Sequence, residues 1–395
     1  MHVGQFLHKL LFKSLSQIHK TRLLALYQTV LSLIDNGQLT LTLLGRNMQG
    51  RSRVKHKIKK VDRLLGNKNL YNEQFLIYKN LSQRLFKHLT DAVIIVDWSG
   101  CCSQQRWILQ ASLVCSGRSI PIYKELHLLK KISNPKVEKA FLKRLSIIIP
   151  KHISVILVTD AGFKTPWFKA VRGFGWDFVG RVRKPIQLNF IAGLWVKVSQ
   201  LSNIKATPLY LGEALVGKTK GDFKSFIYGV RPKLHGRKMK KKKYHCDMYP
   251  DKQDKYSRVH REPWVLATSL EGGKQIARRI INIYKSRMQI EQNFRDDKNQ
   301  RWGFALRYSR TENIKRLEIM MLIAFIAIYM LCLLGLMAEA RKLQFQYQAN
   351  TRKDVRVLSI TSLAKQLIRH DQDHFCWKDL NLVLIKMAEF QRLTT

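Results

Sequence analysis

An unbroken run of 20 apolar residues, Ile319 to Ala338, sets the first constraint on this chain. By length it could cross a bilayer. A helix buried on all sides in a large protein core has the same composition. The run contains Tyr329, Cys332 and Gly335, and is the only such span in a chain otherwise strongly charged. We therefore read it as a core helix and expect no membrane association. The remaining chain has to supply that core, and 395 residues are enough for two or three domains.

The charge narrows the partner. With 71 Lys and Arg against 27 Asp and Glu, the formal net charge is +44, far beyond what solubility needs. A polyanion is implied. The cations are spread along the whole chain instead of lining one amphipathic helix, so nucleic acid fits better than a membrane surface. The six cysteines form no CxxC pair and no zinc spacing, which suits a reducing cytoplasm. MHVGQFLHKLLFK lacks the apolar core and cleavage site of a signal peptide, so no export is expected.

Taken in order, residues 20 to 70 have the pattern of a small helical domain. TRLLALYQTVLSLI is amphipathic, Asn36-Gly37 breaks it, and two short helices flank the turn at Gln49 to Ser52; this is helix-turn-helix-like. The second helix spends its apolar positions at Val54, Ile58, Val61, Leu64 and Leu65, and its opposite face on Lys55, Lys57, Lys59 and Lys60. No base-reading residue stands out, so phosphate contact and sequence readout stay equally open.

From residue 92 the period changes to that of strands. AVIIVDW ends in Asp97; residues 106–115 and 119–128 form a hairpin across Gly117-Arg118; 136–149 is a helix; VILVTDAGF carries Asp160; WDFVGRVR follows. The order of strands and helices predicts an α/β plan with a mixed sheet. Residues 184–270 are β-rich and include GRKMKKKKY, whose unsupported run of Arg237, Lys240, Lys241 and Lys242 is expected to grip phosphates electrostatically. Residues 341–395 are basic and helical.

Residues 274–300 contain no proline and are predicted as one long helix. At about 100° per residue, Tyr284, Arg287, Glu291 and Lys298 share an arc of roughly 60°. One stripe then carries a phenol, two cations and a single carboxylate, since Asp296 and Asp297 fall off it. The bland reading is a solvated face held by i,i+4 pairs. The alternative is a phosphate-handling face with Glu291 as a metal ligand. Asp97 and Asp160, read at the C-terminal ends of buried strands, are costly there unless compensated; capping or turn formation is the structural account. With Glu291 they could hold two Mg²⁺ ions about 4 Å apart, with Arg287 and Lys298 clamping phosphates beside them.

The spacing Tyr284, Arg287, Glu291, Lys298 resembles the Tyr-Arg-Glu-Lys signature of bacterial insertion-sequence DDE transposases, the insertion-sequence-four family. LTLTLLGRN, KKVDRLLGN, VDWS, VTDAGFKTPW and EPWVLAT follow the family's order, so the likeness spans nearly the whole chain. It implies a ribonuclease-H-like catalytic domain (81–183 and 271–338) with a β-rich insertion (184–270), a helical DNA-binding domain (1–80) before it and a basic helical region (339–395) after it. It implies Asp97, Asp160 and Glu291 as the metal triad for Mg²⁺, with Mn²⁺ able to substitute. Cut-and-paste chemistry on transposon ends and target DNA follows, in a synaptic oligomer associated with the nucleoid. Tyr284, Arg287 and Lys298 would contact end phosphates, and Trp264 would receive a flipped base. One position departs: Asp297 stands where the family carries an apolar residue, so the resemblance does not account for the packing beneath Lys298. A nuclease without strand transfer and a catalytically impaired, DNA-binding inhibitor are the competing expectations.

Overall fold

The computed structural model describes residues 1–101, 105–190, 194–201, 203–218, 223–232, 262–299, 303–349, 351–352, 354–370 and 375–395. The chain forms two compact units. One is Met1–Val155 together with Met288–Thr395, the other Ile156–Arg287.

The first unit opens with five helices: α1 (Val3–Ser14), α2 (Lys20–Asn36), α3 (Leu41–Arg46), α4 (Val54–Leu65) and α5 (Lys68–Leu85). Helix α2 stops where Gly37 adopts the left-handed conformation at φ 68°, the usual glycine terminator. Helices α3 and α4 approach each other at Gly45. A Cβ there would lie 2.5 Å from the Ile58 Cα and 2.7 Å from its amide nitrogen, backbone atoms that cannot swing aside. Gly45→Ala should therefore cost about 1–3 kcal/mol by overpacking, read as a lowered Tm in thermal unfolding; an unchanged Tm would show that α3 can yield. The apolar stripe of α4 is shorter than its sequence suggests. Val61, Leu64 and Leu65 are buried, but Val54 is 48% exposed. Lys55 and Lys59 face solvent, while Lys60 turns inward to the Gln28 side-chain oxygen on α2.

Strands β1 (Asp91–Gly100), β2 (Arg106–Leu113) and β3 (Ile120–Leu128) form an antiparallel meander. The hairpin lies where Gly117-Arg118 predicts it. Helix α6 (Pro135–Ile148) begins with an Asn134 side chain accepting from the Lys136 and Val137 amides, and with Pro135 in its first turn, both common start signals.

In the second unit, β4 (Ser154–Thr159), α7 (Thr165–Gly173) and β5 (Asp177–Val182) make a parallel crossover. Strands β6 (Gln187–Asn189), β7 (Trp195–Lys197), β8 (Leu209–Val216), β9 (Lys224–Val230) and β10 (Trp264–Thr268) extend it antiparallel, in the order β4-β5-β10-β9-β8-β6-β7. Helix α8 (Ala277–Lys285) closes the unit.

The chain returns to the first unit with α9 (Met288–Lys298), α10 (Ile314–Ala340), α11 (Ile360–His370) and α12 (Trp377–Thr394). The expected single helix over 274–300 is thus two, separated at Ser286-Arg287. There the ladder tightens: the Ser286 amide reaches the Ile283 carbonyl at 3.2 Å, and the Arg287 amide the Tyr284 carbonyl at 3.1 Å. The Ser286 hydroxyl donates to the same Ile283 carbonyl at 2.6 Å. Three-residue bonds and serine back-bonding of this kind interrupt α-helices.

Helix α10 is the core of its unit. Every residue from Ile319 to Ala338 is buried, enclosed by α2, α4, α5, α11, α12 and β3. Protein, not lipid, removes the apolar run from water. The C-terminal region is not a loose tail either. On α12, Leu380, Val383, Leu384, Met387 and Ala388 are buried, and Gln391 takes the Val93 amide at 2.8 Å while donating to the Val114 carbonyl. The architecture is mixed α/β, as the sequence predicts.

Candidate active site

In the first unit, Asp97 is not at a strand end as the sequence reading has it. Strand β1 continues through Gly100, and Asp97 pairs with Gln110 of β2. The sheet needs those three further residues because Trp98, Ser99 and Gly100 stay in register with Leu109, Ile108 and Trp107. The Asp97 side chain is nearly buried, at 9% exposure for the residue, and its Oδ1 accepts the Trp98 amide at 2.8 Å.

Helix α9 packs on β1, and its polar side chains fasten it there. Gln289 exchanges hydrogen bonds with the Cys115 backbone, at 3.3 Å from the amide and 2.9 Å to the carbonyl. Asn293 donates to the Ser119 carbonyl at 3.0 Å and accepts from its hydroxyl at 2.9 Å. Asp296 pairs with Arg118, Asp297 with Lys124, and the Lys298 ammonium donates to the Ser99 hydroxyl. Burial pushes the Asp296 carboxyl up to about 6, against the pull of the Arg118 guanidinium.

Asp97 and Ser99, two residues apart on one strand, share a face, so Lys298 is delivered to the Asp97 face. Glu291 lies in the first turn of α9 and is exposed. Seven residues before Lys298, it sits on the same stripe about 10 Å along the axis.

In the second unit, Asp160 follows β4 directly, and its Oδ1 accepts the Gly162 amide at 2.8 Å. This is an Asx turn. Tyr284 is 4% exposed and meets the Trp264 ring edge-on, with centroids 5.0 Å apart. Burial raises the Tyr284 phenol, Arg287 and Arg181 oppose that shift, and Asp160 adds to it. The phenol is therefore a neutral hydrogen-bond donor at neutral pH, within electrostatic reach of one carboxylate and two guanidiniums.

Arg181 was not among the residues the sequence singled out. Desolvation is the largest influence on its guanidinium and lowers it, with Tyr284, Arg183, Glu262 and Arg287 around it. Glu262 holds Arg183 at 2.6 Å and stands 3.9 Å from Arg181. A signal existed: alternation in WDFVGRVR puts Arg181, on β5, and Arg183, one residue past its end, on the same side of the chain.

The structure thus gathers Lys298 beside Asp97's face in one unit, and Asp160, Tyr284, Arg287 and Arg181 in the other. Lys55 and Lys59 are exposed on α4. Arg237, Lys240, Lys241 and Lys242 lie outside the described residues. For a divalent cation the donor types fit, since Asp97, Asp160 and Glu291 are oxygen ligands of the kind Mg²⁺ takes. They belong to both units, however, and among the described residues no three His, Cys, Asp or Glu side chains are grouped to hold an ion. Cys115, Cys332 and Cys376 are free thiols.

Comparison with known proteins gives one family. The model described as Transposase DDE domain matches residues 90–330. No curated protein matches. Among solved structures, the chain is similar to Marinitoga piezophila Argonaute in complex with a 5′ OH guide RNA, at 13% identity and a TM-score of 0.23. That likeness covers 68% of this chain and 37% of the Argonaute's length.

Proposed function

The chain belongs to the transposase DDE-domain family, whose model covers residues 90–330, and from that premise we propose that it is the cut-and-paste transposase of a bacterial insertion sequence, of the insertion-sequence-four type. The observation that carries the reading is the span of the match, which takes in Asp97, Asp160, Tyr284, Arg287, Glu291 and Lys298 together. The charge of +44 supports a DNA partner. The proposed ribonuclease-H-like catalytic domain comprises 81–183 and 271–338, with 184–270 inserted, 1–80 binding DNA through residues including Lys55 and Lys59, and 339–395 completing the fold.

In this reading Asp97, Asp160 and Glu291 hold the divalent cation, Mg²⁺ with Mn²⁺ able to substitute, which when bound supplies Lewis acidity and a more acidic water. Arg287 and Lys298 bind the phosphates flanking the reacting bond, Arg287 through its bidentate fork. Tyr284, kept neutral by burial, donates a hydrogen bond to a phosphate oxygen. Trp264 stacks on a base turned out of the duplex, and the Arg237 to Lys242 run adds electrostatic grip. Protein copies pair two element ends before strand transfer to target DNA.

The test uses the purified protein, Mg²⁺ and a duplex ending in the sequence that brackets its gene. Cleavage at the end followed by joining to a second duplex is expected. Cleavage without joining would make it a nuclease, and tight binding without cleavage an inhibitor.

A phosphate role separates Arg287 and Lys298 from fold stability. Arg287→Ala and Lys298→Ala should each flatten the log–log salt dependence of end binding by about 0.9; Arg287→Ala should leave Tm within about 2 °C, and Lys298→Ala, which loses the Ser99 hydrogen bond, should lower it by no more than about 4 °C. A large fall in Tm with normal cleavage per folded molecule would show that they are structural.

A further inference from the structure

The sheet face that carries Asp97 also carries a buried charge that the proposed chemistry does not use. Asp97, Gln110 and Lys124 stand directly opposite one another in the antiparallel registers of β1, β2 and β3. Directly paired residues project from the same face, so the three form one row, with Lys124 about 10 Å from Asp97 at two strand spacings. Helix α9 fastens to this part of the unit through three consecutive residues. Asp296 meets Arg118, with side chains 15% and 10% exposed. Asp297 meets Lys124, at 2% and 1%. Lys298 reaches Ser99.

Removing two opposite charges from water is costly, and an apolar pair of similar volume would hold a helix on a sheet without that cost. What the charges add is a single permitted geometry. Turning α9 by one residue, about 100°, in one direction brings Lys298 to Lys124, and in the other brings Asp296 to Lys124 and Arg295 to Arg118; either way a buried cation loses its counter-ion, which is strongly unfavourable. An apolar contact could slide where this one cannot. Glu291 and Lys298 ride on the same helix, so fixing its rotation at Asp297 fixes where both point. The pair also accounts for a carboxylate at Asp297, where the family resemblance leads one to expect an apolar residue.

We propose that the buried Lys124–Asp297 pair, backed by Arg118–Asp296, is a positioning device that sets the rotation of α9 over β1 and so orients Glu291 and Lys298 for reaction at DNA phosphates. Lys124 and Asp297 are positioning residues; they act through α9 and touch no substrate. The inference rests on the transposase reading above.

The test compares the full-length wild type with the double variant Lys124→Met/Asp297→Leu and with Asp297→Asn. Tm, affinity for the gene-flanking end duplex, and kcat and KM for its cleavage in Mg²⁺ are measured. The apolar pair should melt at or above the wild-type temperature and bind the duplex within about twofold, while kcat falls roughly tenfold to a hundredfold, the scale of a misplacement near 1 Å. Asp297→Asn, which keeps the volume, should show the same loss in kcat with KM unchanged. A wild-type kcat in the double variant overturns the proposal; if that variant does not fold, a wild-type kcat in Asp297→Asn does so. Wild-type protein that cleaves while both variants match it removes only the positioning role. Wild-type protein that neither cleaves nor joins removes the transposase reading and this inference with it.

Discussion

Asp97→Asn, Asp160→Asn and Glu291→Gln should each lower cleavage of the element's end by more than about a thousandfold, the scale on which groups that act as a unit fail when one is removed. Binding of the end duplex should survive. The structure gives a reason to expect intact folds. An asparagine at 97 retains the side-chain oxygen that accepts the Trp98 amide, and one at 160 retains the acceptor for the Gly162 amide. Glu291 is exposed, so its neutral amide costs the core nothing. The measurement is end cleavage in Mg²⁺ alongside a mobility-shift titration on the same duplex. Full cleavage by any one variant would remove that residue from the proposed triad, and loss of binding in step with cleavage would point to misfolding instead.

A second large effect is expected in α10. Ala327 is wholly buried, and Asp at that position would place an uncompensated carboxylate in a dry, tightly packed interior. Such substitutions exceed about 4–5 kcal/mol, a large part of the stability of most domains. Ala327→Asp should be insoluble or unfolded. Met330→Leu, at a residue 1% exposed, conserves volume and should cost less than about 1.5 kcal/mol. Charge intolerance alone does not separate a protein core from a bilayer, so extraction decides. Salt should release the wild-type protein from nucleic acid into solution; release by detergent only would overturn the core assignment of α10.

Local signals carried much of the fold. The continuous apolar runs at β1 and β4, the glycine stop after α2, the Asn134-Pro135 start of α6 and the length of α10 are each written within a few neighbouring residues, because backbone preference and side-chain period act over that range. The candidate acidic residues were legible for the same reason: a lone carboxylate after an apolar run is conspicuous in a chain this basic.

Other features depended on partners distant in sequence. Nothing in residues 274–300 announces that Ser286 will tighten the ladder, since the choice between an α and a three-residue bond is small in energy and local propensity favours continuation. The membrane-like run of α10 became a core helix only through α2, α4, α5, α11, α12 and β3 closing around it. Asp297 looked like a misplaced charge on its helix until β3 brought Lys124 to it from 173 residues away. The sequence by itself determined most of where helices and strands form, though not the break at Ser286 or the end of β1, and which residues are candidates for reactive groups. Tertiary structure decided which charges are neutralised and how α9 is turned, because ion pairing across a sheet depends on register and packing, and neither is encoded within one element.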